Sequence, residues 1–92
     1  MEPKEPKEPR ATPAMLSPKW PEKPSTDPAG EAARRFALNL RDAIGDRSVR
    51  AVARDAGINE GTIRKILLGK TWADLHTIWS LESALDTELY SR

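Results

Sequence analysis

The chain has 92 residues, no cysteine, and a net charge of +1 from 15 basic and 14 acidic side chains. A chain of that length holds one small domain, and the lack of cysteine excludes a disulfide framework or a thiolate metal site. No apolar run approaches the roughly 18 residues that a membrane span needs, and the N-terminus lacks the apolar stretch of a signal peptide, so a soluble cytoplasmic protein is expected.

All eight prolines fall within residues 1–28. This change of composition divides the chain into an arm, residues 1–27, and a folded unit, residues 28–92. The arm has few apolar side chains. It is expected to be disordered, because it cannot bury enough surface to offset the entropy of ordering. "EPKEPKEPR", residues 2–10, repeats every three residues. Proline fixes φ and favours polyproline II, which has three residues per turn. Glu2, Glu5 and Glu8 would line one edge and Lys4, Lys7 and Arg10 another. Such a segment is a solvated arm, a rigid spacer or a ligand for a proline-binding module. Residues 15–21, "MLSPKWP", are the apolar island of the arm. Met15, Leu16 and Trp20 either dock, on the domain or on a partner, or belong to a linker without function.

Asp27 and Pro28 mark the start of a first helix, one as cap and the other at the first helical position. Ala33, Phe36, Ala37, Leu40 and Ile44 recur at helical spacing, and Gly45 ends the run. Ser48 caps a second helix with Val49, Val52, Ala53 and Ala56 inward, the alanines allowing another helix to approach closely. Gly57 closes it in a left-handed conformation that glycine adopts without penalty, and Ile58 plugs the corner. Asn59 caps a third helix that buries Ile63, Ile66 and Leu67 and stops at Gly69. Steps of about 100° per residue from Ile63 put Gly61, Arg64, Lys65 and Leu68 on the opposite, cationic side. Asp74 caps a fourth helix carrying Leu75, Ile78, Leu81, Leu85 and Leu89, with Trp72 as a staple ahead of the cap and Trp79 at the edge of the apolar stripe. "DTELYSR", at the end, frays or forms a short strand.

Charge is distributed unevenly along these elements. Between Glu31 and Lys70 there are nine basic side chains and five acidic ones; from Thr71 onward there are one basic and four acidic. The basic half holds the second and third helices, which points to a polyanionic partner on one face.

"SVRAVARDAGINEGTIRKILLGKTW", residues 48–72, resembles the helix-turn-helix of the phage repressor and Cro-like (XRE-type) family. The matching residues are the cap Ser48, Val52-Ala53, the helix-ending Gly57, hydrophobic Ile58, the polar cap Asn59, Thr62-Ile63 and the closing Gly69. The resemblance implies an all-α fold, a compact four-helix domain of the lambda-repressor kind without a clear fifth helix, preceded by the Pro-rich arm. It implies that the helix at about 59–69 enters the major groove of double-stranded DNA. Carried over position by position, it gives Asn59, Glu60, Gly61, Thr62, Arg64 and Lys65 as base-reading residues. It gives Arg47, Ser48, Arg50, Lys70 and Thr71 as phosphate contacts. The chemistry suits these places: Arg64 or Lys65 donates to guanine, Glu60 accepts from a cytosine amino group, and Leu68 meets a thymine methyl or packs on a neighbour. Backbone N–H groups at the Ser48 cap attract phosphate.

The family often has glutamines where this chain has Val49, Glu60 and Gly61, so a base code is not transferable. The chain ends before a fifth helix of the kind that pairs family subunits. A homodimer on DNA would then use Trp79, the "TELY" segment as an edge strand, or the arm. No cofactor, metal or enzymatic role is expected. "GKT", residues 69–71, lacks the glycine a phosphate-binding loop requires, position 64 being arginine. His76 is the sole imidazole, and no spacing suggests a catalytic triad. The expected function is a sequence-specific, nucleoid-associated DNA-binding transcriptional regulator, phage repressor/Cro-like or an antitoxin-type autoregulator. The alternative is a protein-interaction module whose arm and Trp20 region capture a partner.

Overall fold

A computed structural model describes residues 10–90, so the proline repeat before Arg10 and the last two residues lie outside the described part. Four helices follow in order: α1 (Pro28–Ile44), α2 (Val49–Ala56), α3 (Glu60–Leu67) and α4 (Leu75–Leu85). A short 3-10 turn at Pro13–Leu16 precedes them, and no strand occurs among the described residues. None of these helices is long and apolar enough to cross a membrane.

Each α-helix starts where a side-chain oxygen satisfies a free backbone N–H. Asp27 accepts from Gly30 at 2.8 Å, Ser48 from Ala51 at 3.0 Å, Asn59 from Gly61 at 2.6 Å and Asp74 from Thr77 at 2.8 Å. Such a cap contributes about 1 kcal/mol. The helices meet in a core of Phe36, Leu40 and Ile44 from α1, Val52 and Ala53 from α2, Ile63 and Ile66 from α3, and Leu81 from α4. α2 packs against both α3 and α4, and α1 packs against α3.

The C-terminal segment neither frays nor forms a strand up to Tyr90. Asp86 turns the chain at a φ of 54°. The Glu82 carboxylate then accepts the N–H groups of Leu89 (2.7 Å) and Tyr90 (3.0 Å), and the Asn39 amide donates to the Leu89 carbonyl (2.9 Å). These bonds drive Leu89 into the core from outside α4, where the sequence had suggested a position on the helix.

The buried face of α4 also differs from expectation. Leu75 and Trp79 are 83% and 67% exposed, while Thr77, Ser80 and Leu81 are buried. The buried side of α4, a helix that packs against α2, thus includes two small polar side chains beside Leu81, and close helix approach accommodates these better than large ones. An apolar period alone does not reveal that. Trp72, just ahead of the α4 cap, lines a cavity together with Ile78 of that helix, and its indole N–H donates to the Ala11 carbonyl at 2.9 Å.

That bond belongs to the largest departure from the sequence reading. Residues 10–27, expected to be part of a disordered arm, lie packed on the helices. The Ala14 N–H donates to the Gly69 carbonyl (2.9 Å), and the Trp20 indole donates to the Leu67 carbonyl (3.0 Å). Ser25 donates its hydroxyl to the Leu16 carbonyl and its N–H to Glu31 Oε1 (2.8 Å). Pro13 and Ser17 are fully buried. The physical reason is concentration of contacts: the average apolar content is low, but Pro13, Leu16 and Trp20 all face the domain. Residue 27 therefore marks a change in composition and not an end of packing.

Glu31 holds this junction. Its carboxylate receives Arg34 through two bonds, at 2.9 and 2.8 Å, as well as the Ser25 N–H. Foremost the Arg34 bonds, and then the Ser25 N–H, lower its pKa from 4.5 to about 2. A carboxylate pKa depressed by folding adds stability above the unfolded value, and that stability is lost as pH falls through the folded value. Thermal melts followed by circular dichroism should thus show Tm falling as pH drops from about 4.5 towards 2. Glu31→Gln is expected to lower Tm at pH 7 and to flatten the profile across that window; an unchanged profile would rule out this role.

Candidate nucleic-acid interface

α2 and α3 are joined by a turn that local chemistry fixes. Gly57 takes a φ of 71°, and its N–H donates to Arg54 while that of Ile58 donates to Ala53. Nothing lies within 4 Å of where a Cβ on Gly57 would be, so glycine is needed here for its backbone and not for space. Ile58 packs on the core below the turn. Val52 and Ala53 of α2 then meet Ile63 and Ile66 of α3, which fixes which side of α3 is left outward.

That outward side carries Arg64, Lys65 and Leu68, all exposed. Arg64 reaches back one turn to Glu60, with Nη2 to Oε2 at 2.6 Å. The other carboxylate oxygen of Glu60 lies 3.7 Å from Nε of Arg50 on α2. The Arg64 bond, helped by the charges of Arg64 and Arg50, holds the Glu60 carboxyl below its ordinary range. In the free protein one acid thus sits between two cations. Lys65 makes no ion pair among the described residues.

The other residues at the start of α3 serve the helix itself. Asn59 is exposed, but its side-chain oxygen is engaged by the Gly61 N–H. A Cβ on Gly61 would lie 2.9 Å from that same oxygen, so glycine leaves room for the cap. Thr62 is half-buried.

The residues expected at phosphate lie at the start of α2 and beyond α3. Ser48 caps α2 and is exposed, as is Arg50. Arg47 is paired with Asp55, which also takes Arg54 at 3.3 Å. These bonds, Arg47's first, lower the Asp55 pKa. Lys70 is exposed and Thr71 half-buried, in the turn that follows α3. The pair Arg50–Glu60 brings the start of α2 to the start of α3. Lys70 and Thr71 sit at the other end of α3, a helix length of roughly 12 Å away.

Sequence reasoning missed what closes the C-terminal end of α3. The last carbonyls of a helix lack helical partners, and the arm supplies donors to Leu67 and Gly69 through Trp20 and Ala14. A lone tryptophan in a proline-rich stretch was the available signal. It did not say which surface the ring would meet.

The Glu60 arrangement yields an expected result. Glu60→Gln leaves Arg50 and Arg64 unpaired and removes a negative charge from the outward side. Binding to a DNA duplex should tighten at low salt, and the slope of log affinity against log salt should steepen by about one. Fluorescence anisotropy over a KCl series measures both. Unaltered affinity and slope would mean that this side does not face DNA.

A family model described as helix-turn-helix matches residues 39–90, more than half of the chain, from within α1 to the folded-back C-terminal segment. No curated protein is similar enough to the chain to count as a relative. The matched span contains α2, the Gly57 turn and the whole of α3. The chain belongs to the XRE-type helix-turn-helix family, and its kind of function is that of a DNA-binding regulator.

Proposed function

We propose that this protein is a sequence-specific transcriptional regulator that inserts α3 into the major groove and binds a near-palindromic operator as a homodimer. Repressors, Cro-like proteins and antitoxin-type autoregulators work in this way. The observation that carries the reading is the position of Arg64 and Lys65, exposed on the side of α3 opposite buried Ile63 and Ile66. A helix presented so offers its cations to base edges, while its apolar side keeps it rigidly placed.

In this reading Asn59, Glu60, Gly61, Thr62, Arg64 and Lys65 face the bases. Arg47, Ser48, Arg50, Lys70 and Thr71 set the register on phosphate. The free geometry refines these roles. Asn59 keeps its amide NH2 for a base, since its oxygen serves the cap. Glu60 must release Arg64 or Arg50 when either reaches DNA. Arg47 must leave Asp55 before it meets a phosphate.

The dimer surface falls on α4 in this account. The backbone groups of Leu89 and Tyr90 are engaged by Glu82 and Asn39, which leaves the "TELY" segment ill-suited to strand pairing. Leu75 and Trp79 remain as exposed apolar side chains one turn apart. Capture of a protein partner by Trp20 has less support, because that ring lies against Gly69 with its N–H already bonded.

Equilibrium binding to DNA fragments at several salt concentrations tests the function. Affinity should fall steeply as salt rises, because bound cations displace counterions from phosphate. Absence of binding at low salt, or affinity indifferent to salt, would overturn the proposal.

A further inference from the structure

An apolar cavity of about 290 Å³ lies between residues 10–27 and the helices. Trp20, Phe36, Trp72 and Tyr90 form its aromatic walls; Ala33 of α1 and Ile66 of α3 are part of its floor. It is partly open to solvent, so a ligand can enter without unfolding the protein.

The chemistry of the lining restricts the ligand. No charged side chain lines the cavity, so an ion entering it would lose hydration without replacement. Both indole N–H groups at its edge are committed, Trp20's to the Leu67 carbonyl and Trp72's to the Ala11 carbonyl. Among the lining side chains, the hydroxyls of Thr71 and Tyr90 are the polar groups without a hydrogen bond among the described residues. Size narrows the class further. An apolar cavity of about 150 Å³ holds one benzene ring, so nearly twice that volume suits two fused rings. Aromatic walls favour a flat, offset or edge-on guest.

We propose that this cavity binds a small, neutral, fused-ring aromatic molecule carrying at most a hydroxyl or similar polar group. A ring seated there touches residues 10–27 through Trp20 and the buried side of α3 through Ile66. It therefore ties the arm more firmly to the domain.

The test uses the full 92-residue chain with 1-naphthol as probe, followed by ¹H–¹⁵N correlation spectra and thermal melts. The expected result is saturable shifts at Ala33, Ile66 and the Trp20 and Trp72 indole N–H signals, with Tm rising as the probe is added. Ala33→Leu fills the floor and should weaken binding at least tenfold. Nuclear Overhauser contacts from the naphthol ring to Phe36 and Ile78 in the unmodified protein locate the site independently of that variant. Shifts that do not saturate, contacts that cluster at Trp79 on the outer face of α4, or wild-type affinity in a folded Ala33→Leu protein would each overturn the proposal.

Discussion

Gly69→Ala is expected to destabilise the protein by about 2–4 kcal/mol and to loosen residues 10–27 from the helices. Two effects combine at this position. Gly69 has a φ of 71°, where a side chain is strained. A Cβ there would also lie 2.7 Å from Cε2 and 2.8 Å from Cδ2 of Trp20, and 2.9 Å from Cβ of Ala14. The indole is a rigid plate and cannot yield without moving as a whole. If it moves, its bond to the Leu67 carbonyl is lost together with its packing. Gly57 provides the control. It has the same φ of 71° but nothing within 4 Å of a Cβ, so Gly57→Ala should cost only about 1–2 kcal/mol for the backbone conformation. Urea unfolding followed by tryptophan fluorescence measures both. Equal losses in the two variants would show that Trp20 is not seated on Gly69.

Arg64→Ala is expected to relax base preference by about 1–3 kcal/mol at one position of the binding site. Arg64 is exposed, its pair with Glu60 is open to solvent, and its planar fork matches the paired acceptors of guanine. Its loss also leaves the Glu60 carboxylate without its nearest cation inside the negative potential of the groove. Overall affinity should therefore fall by more than the lost contact alone. The double variant Arg64→Ala/Glu60→Gln separates the two effects: affinity should partly recover, while discrimination should not. Selection from a random duplex pool, followed by binding to single-base variants of the selected site, measures both quantities. Full base preference in Arg64→Ala would remove this residue from the reading face.

What the sequence revealed and what it hid follow the distance over which each feature is decided. The caps at Asp27, Ser48, Asn59 and Asp74 are settled within three residues of chain, and all four lie where the sequence placed them. The exposure of Arg64 and Lys65 follows from angular steps along one helix once Ile63 is known to be buried. The Glu60–Arg64 pair was also legible in principle, as an acid four residues before a base on a helix. Arg50–Glu60 and Arg47–Asp55 were not, because they depend on how α2 is oriented. The arm lay furthest from view. Trp20 meets Leu67 across 47 residues, and Trp72 meets Ala11 across 61. A composition reading averages over the stretch and misses three apolar side chains that face one way. Leu75 and Trp79 mark the opposite failure, in which apolar residues at helical spacing face water.

Methylation interference on a selected DNA site offers the most direct measurement of the α3 placement. Methyl groups on guanine N7 protrude into the major groove, and those on adenine N3 into the minor groove. With α3 seated as proposed, guanine N7 methylation within each half-site should block binding, and the block at one guanine should disappear in Arg64→Ala. Interference confined to adenine N3, or a guanine N7 pattern identical in the unmodified protein and Arg64→Ala, would contradict the placement.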